Sequence, residues 1–283
     1  MKVQVLLGLF IHISTTILAL QLGGKSSLAN PPSDRPATNQ SQSTLLPKQL
    51  THLIFNSNAV PKGKKAPGRR ASGGRRPNSE NPACPQLLDK GLTALVSERK
   101  ERISGNKEVQ SVLGLSASEP LTLWFYVPYT EPLQAKLTLV NDQGNHSYLI
   151  NLPKQAGIVG LALPPQVTQS LKVDQQYRWG LSIICHPMSP SLNPNVSGWL
   201  QRVELPALSS SESVSEKLLY YANRGIWHDA LTLLANQRMA KPNDAIINQY
   251  WGDLLDAEQL GNLSGEAIVQ QYFLNEELKP VTQ

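Results

Sequence analysis

Cysteine is nearly absent: two residues in 283. That is too few for a disulfide-stapled scaffold, and without paired spacing it excludes a thiolate zinc site. Histidine is scarce too. Beyond the N-terminal leader there are only His52, His146, His186 and His228, and no two stand four apart on a helix face. The sequence has no HExxH, GxSxG, Walker or GxGxxG pattern, so the metalloprotease, serine-hydrolase, P-loop and dinucleotide-binding classes lose their usual marks. Cys185 and His186 are neighbours on a strand, where successive side chains diverge, so they make a poor catalytic pair. His228 beside Asp229 reads as a solvated pair in a helix turn. Asp253, Asp256 and Glu258 form at most a loose cation cluster, lacking calcium-loop spacing. No catalytic, cofactor or metal site is read, and the balance leans away from an enzyme.

Acidic residues are missing from one end. Residues 1–83 carry 11 Lys/Arg against 2 Asp/Glu, net +9, whereas the remainder carries 15 against 19, net −4, giving the +5 of the whole chain. The basic pI of about 9.1 therefore belongs to the N-terminal third. Lys2 precedes a mostly apolar run to Leu22, and Ser27-Leu28-Ala29 supplies a small-x-small site before Asn30-Pro31. This is the form of a secretory signal peptide over 1–29, and its polar interruptions argue against a membrane span of about 20 apolar residues. The expected destination is the periplasm or the cell exterior.

Residues 30–83 are rich in Pro, Ser, Gly, Asn and Gln, which predicts a disordered linker. One apolar stretch, 45–55, is suited to docking on a partner or on the protein's own body. The basic run 61–77 holds seven positive charges, among them Arg69, Arg70, Arg75 and Arg76, and neither an acid nor an aromatic. Two readings stand: a tether to an acidic polymer or a peripheral membrane surface, and a solvated arm. Nucleic acid is disfavoured, because no aromatic is interleaved for base stacking.

From Cys84 to 206 the pattern becomes short apolar runs between turns. Strands are predicted at 92–96, 121–127, 134–140, 147–152, 158–163, 177–185 and 199–205. The longest, Tyr177-Arg-Trp-Gly-Leu-Ser-Ile-Ile-Cys185, alternates with period two and has one core face. Asn141-Asp-Gln-Gly-Asn145 has hairpin chemistry. Leu171, six residues before Tyr177, matches a tyrosine corner. The expectation is an immunoglobulin- or fibronectin III-like β-sandwich of about seven antiparallel strands. The run 121–127 is apolar on both faces, so Trp124 and Tyr126 are either covered, for instance by the C-terminal helices, or displayed as an aromatic patch.

In an exported chain the two lone cysteines pair most economically with each other, and a Cys84–Cys185 bridge would close a loop of about 100 residues, roughly 4–5 kcal/mol by chain entropy. After Leu208 the period becomes helical. Helices are predicted at 213–223, 227–239, 244–256 and 264–278, with Asp244 as an N-cap. Gly225 and Gly261 lie 36 residues apart in similar surroundings, suggesting an all-α, TPR-like helical hairpin module over 212–279. Its first turn brings Trp227 and His228 together as candidate contact residues.

Taken in order, Gly68-Arg69-Arg70, Gly73-Gly74, Cys84, Leu92-Thr-Ala-Leu95, Trp124-Phe-Tyr-Val-Pro-Tyr129, Tyr177-Arg-Trp179, Cys185, Gly198-Trp-Leu-Gln-Arg-Val203 and Gly225-Ile-Trp-His-Asp-Ala-Leu231 resemble the cyanobacterial domain-of-unknown-function family 928. The resemblance departs at Gly74-Arg75-Arg76-Pro77 and at His228, where family members more often have Tyr. It implies an exported cyanobacterial protein, no activity, and docking rather than formlessness for the Gly/Arg run. The resulting expectation is a non-catalytic envelope protein that binds an envelope protein or acidic polymer. The alternative is a surface carbohydrate-binding or glycan-processing protein using exposed aromatics such as Trp124, Tyr126, Tyr129 or Trp199.

Overall fold

Alternation of apolar and polar residues builds two sheets. The computed structural model describes residues 51–61, 66–72, 90–103, 107–141, 144–206 and 211–275. The chain divides into two units, 1–48 and 49–283, and the described residues all belong to the second. Residues 1–29, where a leader is expected, and Arg75, Arg76 and Cys84 lie outside the described residues. Among the described residues no helix is long and apolar enough to cross a membrane.

The strands are β1 (Thr93–Ala94), β2 (Glu98–Ile103), β3 (Lys107–Ser116), β4 (Thr122–Val127), β5 (Gln134–Asn141), β6 (Gly144–Asn151), β7 (Gly157–Ala162), β8 (Gln176–Ile184), β9 (Asn195–Arg202) and β10 (Ile268–Phe273). The helices are α1 (Pro165–Ser170), α2 (Val214–Asn223), α3 (Trp227–Ala240) and α4 (Ala245–Ala257). One sheet has the order β1-β4-β7-β10, the other β2-β3-β9-β8-β5-β6. The fold is thus a two-sheet β core with C-terminal helices. It differs from about seven antiparallel strands in having ten among the described residues, with β3–β9 and β7–β10 paired in parallel.

The inter-sheet core is filled as the period-two pattern requires. Tyr177, Trp179, Leu181 and Ile183 of β8 are buried, and Trp179 meets Phe125 of β4 edge-on at 5.6 Å. A Cβ at Gly198 of β9 would come within 2.5 Å of the Trp179 ring, so only glycine lets β9 pass beneath it. The tyrosine corner forms: the backbone N–H of Lys172 donates to the Tyr177 hydroxyl at 2.7 Å, and Leu171 is buried beside it. In the β5–β6 hairpin Asn141 pairs with Gly144, whose φ of +131° only glycine adopts freely.

Three expectations are corrected here. The predicted fourth helix, 264–278, is instead strand β10, running parallel to β7. Ile268-Val-Gln-Gln-Tyr-Phe273 is β-branched and aromatic, and β7 offers it an unpaired edge. The second helical repeat therefore lacks its second helix, and what remains is three helices. Nor do those helices form a separate module. Trp227, Ala230, Leu231, Leu234 and Ala235 of α3 join the same core as both sheets, and residues 227–231 of that helix, His228 and Asp229 included, are buried without a break.

The third correction concerns the linker. Residues 51–61 and 66–72 are built into the fold. Leu53 and Phe55 are buried, Phe55 lies 5.1 Å from Trp227, and the Asn56 N–H donates to the last-turn carbonyl of Ala222 in α2 at 2.9 Å. The docking of 45–55 on the protein's own body is seen in these two residues. Residues 66–72 fill the fork where β3 and β9 diverge. The Arg69 N–H donates to Ser197 O, the Val112 N–H to Ala66 O, and the Ala94 N–H of β1 to Arg70 O. A Cβ at Gly68 would stand 2.6 Å from Ser197 O, so the wedge needs glycine there. Composition had pointed to disorder because backbone pairing, not side-chain burial, holds this segment.

Candidate functional site

The predicted interaction residues scatter. Arg70 is consumed structurally: its guanidinium donates to the Glu258 carbonyl at 2.7 Å and pairs with Glu98 at 3.3 Å. Arg69 is exposed on the same wedge. Trp124, Tyr126, Tyr129 and Trp227 are buried, so no aromatic patch is displayed there. The outward face of β4 is covered by α3, whose Thr232 hydroxyl accepts from Trp124 Nε1 at 3.0 Å. Trp199 is half-buried, and its Nε1 donates to Pro67 O at 3.0 Å. The loose acidic cluster separates as well. Asp253 accepts from the Leu53 N–H, and Glu258, buried, accepts from Ser57 and Ser97 at 2.6 and 2.8 Å. Among the described residues no group of His, Cys, Asp and Glu is placed to hold a metal.

His228 is the main reversal. It was expected in solvent, yet it is 2% exposed. The first turn of α3 is inserted at the open end of the two sheets, where β3 runs out and β4 begins. Gly114 of β3 makes room: a Cβ there would lie 2.3 Å from His228 Nε2. Among the described residues neither ring nitrogen has a partner. Burial holds the imidazole down to a pKa of about 4, so it is neutral near pH 7. Asp229, next in sequence, faces other groups. Its carboxylate accepts from the Ala117 N–H at 3.1 Å and is hydrogen-bonded by the Ser116 and Ser118 hydroxyls, while burial pushes its pKa up against those bonds.

These residues line a cleft of about 380 Å³ between the end of the sandwich and the helices. Buried Ser116, Thr122, His228 and Asp229 belong to its lining, together with Tyr221 and Phe273. Tyr221, whose pKa burial raises, is hydrogen-bonded to Ser118. Sequence reading missed the cleft because its walls come from β3, β4, α2, α3 and β10. The adjacency of His228 and Asp229 was the only available signal, and it suggested solvent.

A second surface lies where β6 and β10 end their respective sheets on one side of the sandwich. The Tyr272 hydroxyl donates to Asn151 O at 2.6 Å, joining the two edges. Beside this bond Leu149 is 42% exposed and Phe273 69%, lining a groove of about 240 Å³. Neither β6, Gly144-Asn-His-Ser-Tyr-Leu-Ile-Asn151, nor β10 contains a charged residue or proline. The opposite edge of the six-stranded sheet, β2, reads Glu-Arg-Lys-Glu-Arg-Ile. No free cysteine occurs among the described residues; Cys185, at the end of β8, is in the core, and Cys84 lies outside them.

The family model described as Domain of Unknown Function (DUF928) matches residues 71–268. No curated protein matches. Among solved structures, the fn3 domain of human collagen alpha-1(XX) chain is similar at 15% identity, covering 46% of this chain and 98% of that one, with a TM-score of 0.21. That superposition is too loose to carry topology or function across.

Proposed function

This chain belongs to the DUF928 family, a domain of unknown function, and we propose from its own surfaces that it is an exported, non-catalytic interaction protein of the cell envelope. The observation that carries this reading is the contrast between its sheet edges. Folded proteins guard exposed edges with charge, proline or cover, because an unpaired row of N–H and C=O groups recruits further strands. β2 is guarded in this way by five charges in six residues, whereas β6 and β10 are uncharged and carry exposed Leu149 and Phe273. The partner is an extended segment of another protein, adding a strand and seating apolar side chains in the groove between them. Deleting 212–279 would not test this, since α3 belongs to the common core.

A photo-crosslinking residue placed at Leu149 is expected to capture a discrete envelope protein in the native cell, and the same residue at Lys100 of β2 is not. Leu149→Lys should lower partner recovery about tenfold, equivalent to about 1.4 kcal/mol. Equal capture from both edges, or a self-adduct only, would remove the reading of a foreign partner strand.

The export part of the proposal rests on the leader 1–29 and on the Cys84–Cys185 bridge that an oxidising compartment permits. Non-reducing mass spectrometry of protein from the envelope fraction should give an intact mass two hydrogens below that of the reduced chain, with the leader absent. Two alkylatable thiols would count against both the bridge and the compartment. As for an acidic polymer, exposed Arg69 is the described part of the basic run that is open to one, because Arg70 is paired internally.

A further inference from the structure

A neutral imidazole carries one donor and one acceptor. In His228 both are buried and neither meets a protein group. Leaving a buried polar atom unsatisfied costs about 1–3 kcal/mol, so such a residue calls for a partner that the protein does not supply. The two nitrogens point to different sides of the ring and Nε2 lies against Gly114, so one ligand group can meet Nδ1 alone; a hydroxyl suits it in either tautomer, because it can donate or accept. His228 belongs to the lining of the cleft at the end of the sandwich, which at about 380 Å³ falls in the size range of small-ligand sites.

The rest of the lining narrows the chemistry. Charge does not favour an ion of either sign: Asp229 is already saturated by Ala117, Ser116 and Ser118, Glu119 is paired with Arg202 at 2.6 Å, and among the described residues Lys217 is the one cation in the lining. Hydroxyl and amide groups not engaged in this way come from Thr122, Asn236 and Gln271. They alternate with apolar surface from Leu121, Leu233 and the exposed ring of Phe273. Hydroxyl and amide groups beside an aromatic face suit a molecule with hydroxyls around its edge and C–H groups across its face.

We infer that this cleft binds a neutral saccharide unit, one hydroxyl of which hydrogen-bonds Nδ1 of His228. The site is distinct from the aromatic patch that the sequence suggested, since Trp124 and Tyr126 are buried, and it shares with the β6–β10 groove the Phe273 ring but not Leu149.

The test is titration calorimetry of the full mature chain with glucose, N-acetylglucosamine, maltotriose, cellotriose and chitotriose, with trialanine as a peptide control. At least one saccharide is expected to bind saturably, and binding should fall at least tenfold in both His228→Leu and Asn236→Ala while Leu149→Lys leaves it unchanged. Asn236 is exposed on α3, so its variant reports on the site even if His228→Leu fails to fold. No binding across the panel, binding of trialanine alone, or saccharide binding unaffected by Asn236→Ala would each overturn the assignment. A failed crosslink at Leu149 would bear only on the edge.

Discussion

Replacing Trp124 by alanine is expected to cost about 4 kcal/mol, the usual range for a large buried aromatic being 3–5. Trp124 is 1% exposed and joins two parts of the fold. Its backbone sits in β4, opposite Gly160 of β7, and its ring lies across that glycine, so that a Cβ at 160 would meet ring carbons at 2.7 Å. Its indole N–H reaches α3 at Thr232. Alanine would open a cavity between sheet and helix, against a total stability of about 5–15 kcal/mol for an ordinary domain. The pairing with Gly160 makes the prediction specific. Gly160→Ala should destabilise the parent chain, yet be tolerated or restorative in Trp124→Ala, because the added methyl then enters vacated space. Urea unfolding of the two single variants and the double variant measures this. Simple additivity would show that the ring does not depend on the glycine.

The second large effect is acid sensitivity centred on His228. Burial lowers its pKa from an ordinary 6.5 to about 4. Between those values the unfolded chain binds a proton that the folded chain refuses, so stability is fully present above about pH 6.5 and is lost as pH falls towards 4. The linkage amounts to about 3 kcal/mol over that window. Asp229 acts in the opposite sense, since burial raises its pKa and the folded chain takes up that proton first, offsetting part of the loss at the acid end. His228→Leu removes the titrating group and should flatten the dependence of the urea midpoint on pH between 6.5 and 4. All other carboxylates are common to both proteins, so the difference isolates the imidazole. An unchanged slope in His228→Leu would sink the assignment. A saccharide seated on His228 should steepen the parent's dependence further, because it binds only the neutral ring.

Much of the β core was legible in the sequence. The seven predicted strands all occur, because period-two runs such as Tyr177–Ile183 can bury a face in one way only. The corner at Tyr177 was readable from the Leu171 spacing. That 121–127 is apolar on both faces left cover and display both open, and the contact of Trp124 with Thr232 of α3 decides for cover. β2 was missed because five of its six residues are charged, the mark of an edge strand guarded against further pairing. β10 was misread as a helix because a short apolar segment takes its conformation from the edge it meets, and β7 lies about 110 residues earlier in the chain, beyond any local pattern.

By itself, then, the sequence determined the alternating strands, the helix cap at Asp244, and the division of charge between the first 83 residues and the rest. These follow from local periodicity, hydrogen-bonding chemistry and composition, which a linear reading contains. Only the tertiary structure decided that the Gly68–Arg70 stretch is a wedge between diverging strands, that α3 is a core helix rather than part of an appended module, and that His228 is buried and unpartnered beside Gly114. Each depends on groups brought together across more than 100 residues of chain. Burial and close approach are properties of the packed neighbourhood, and no window of sequence contains that neighbourhood.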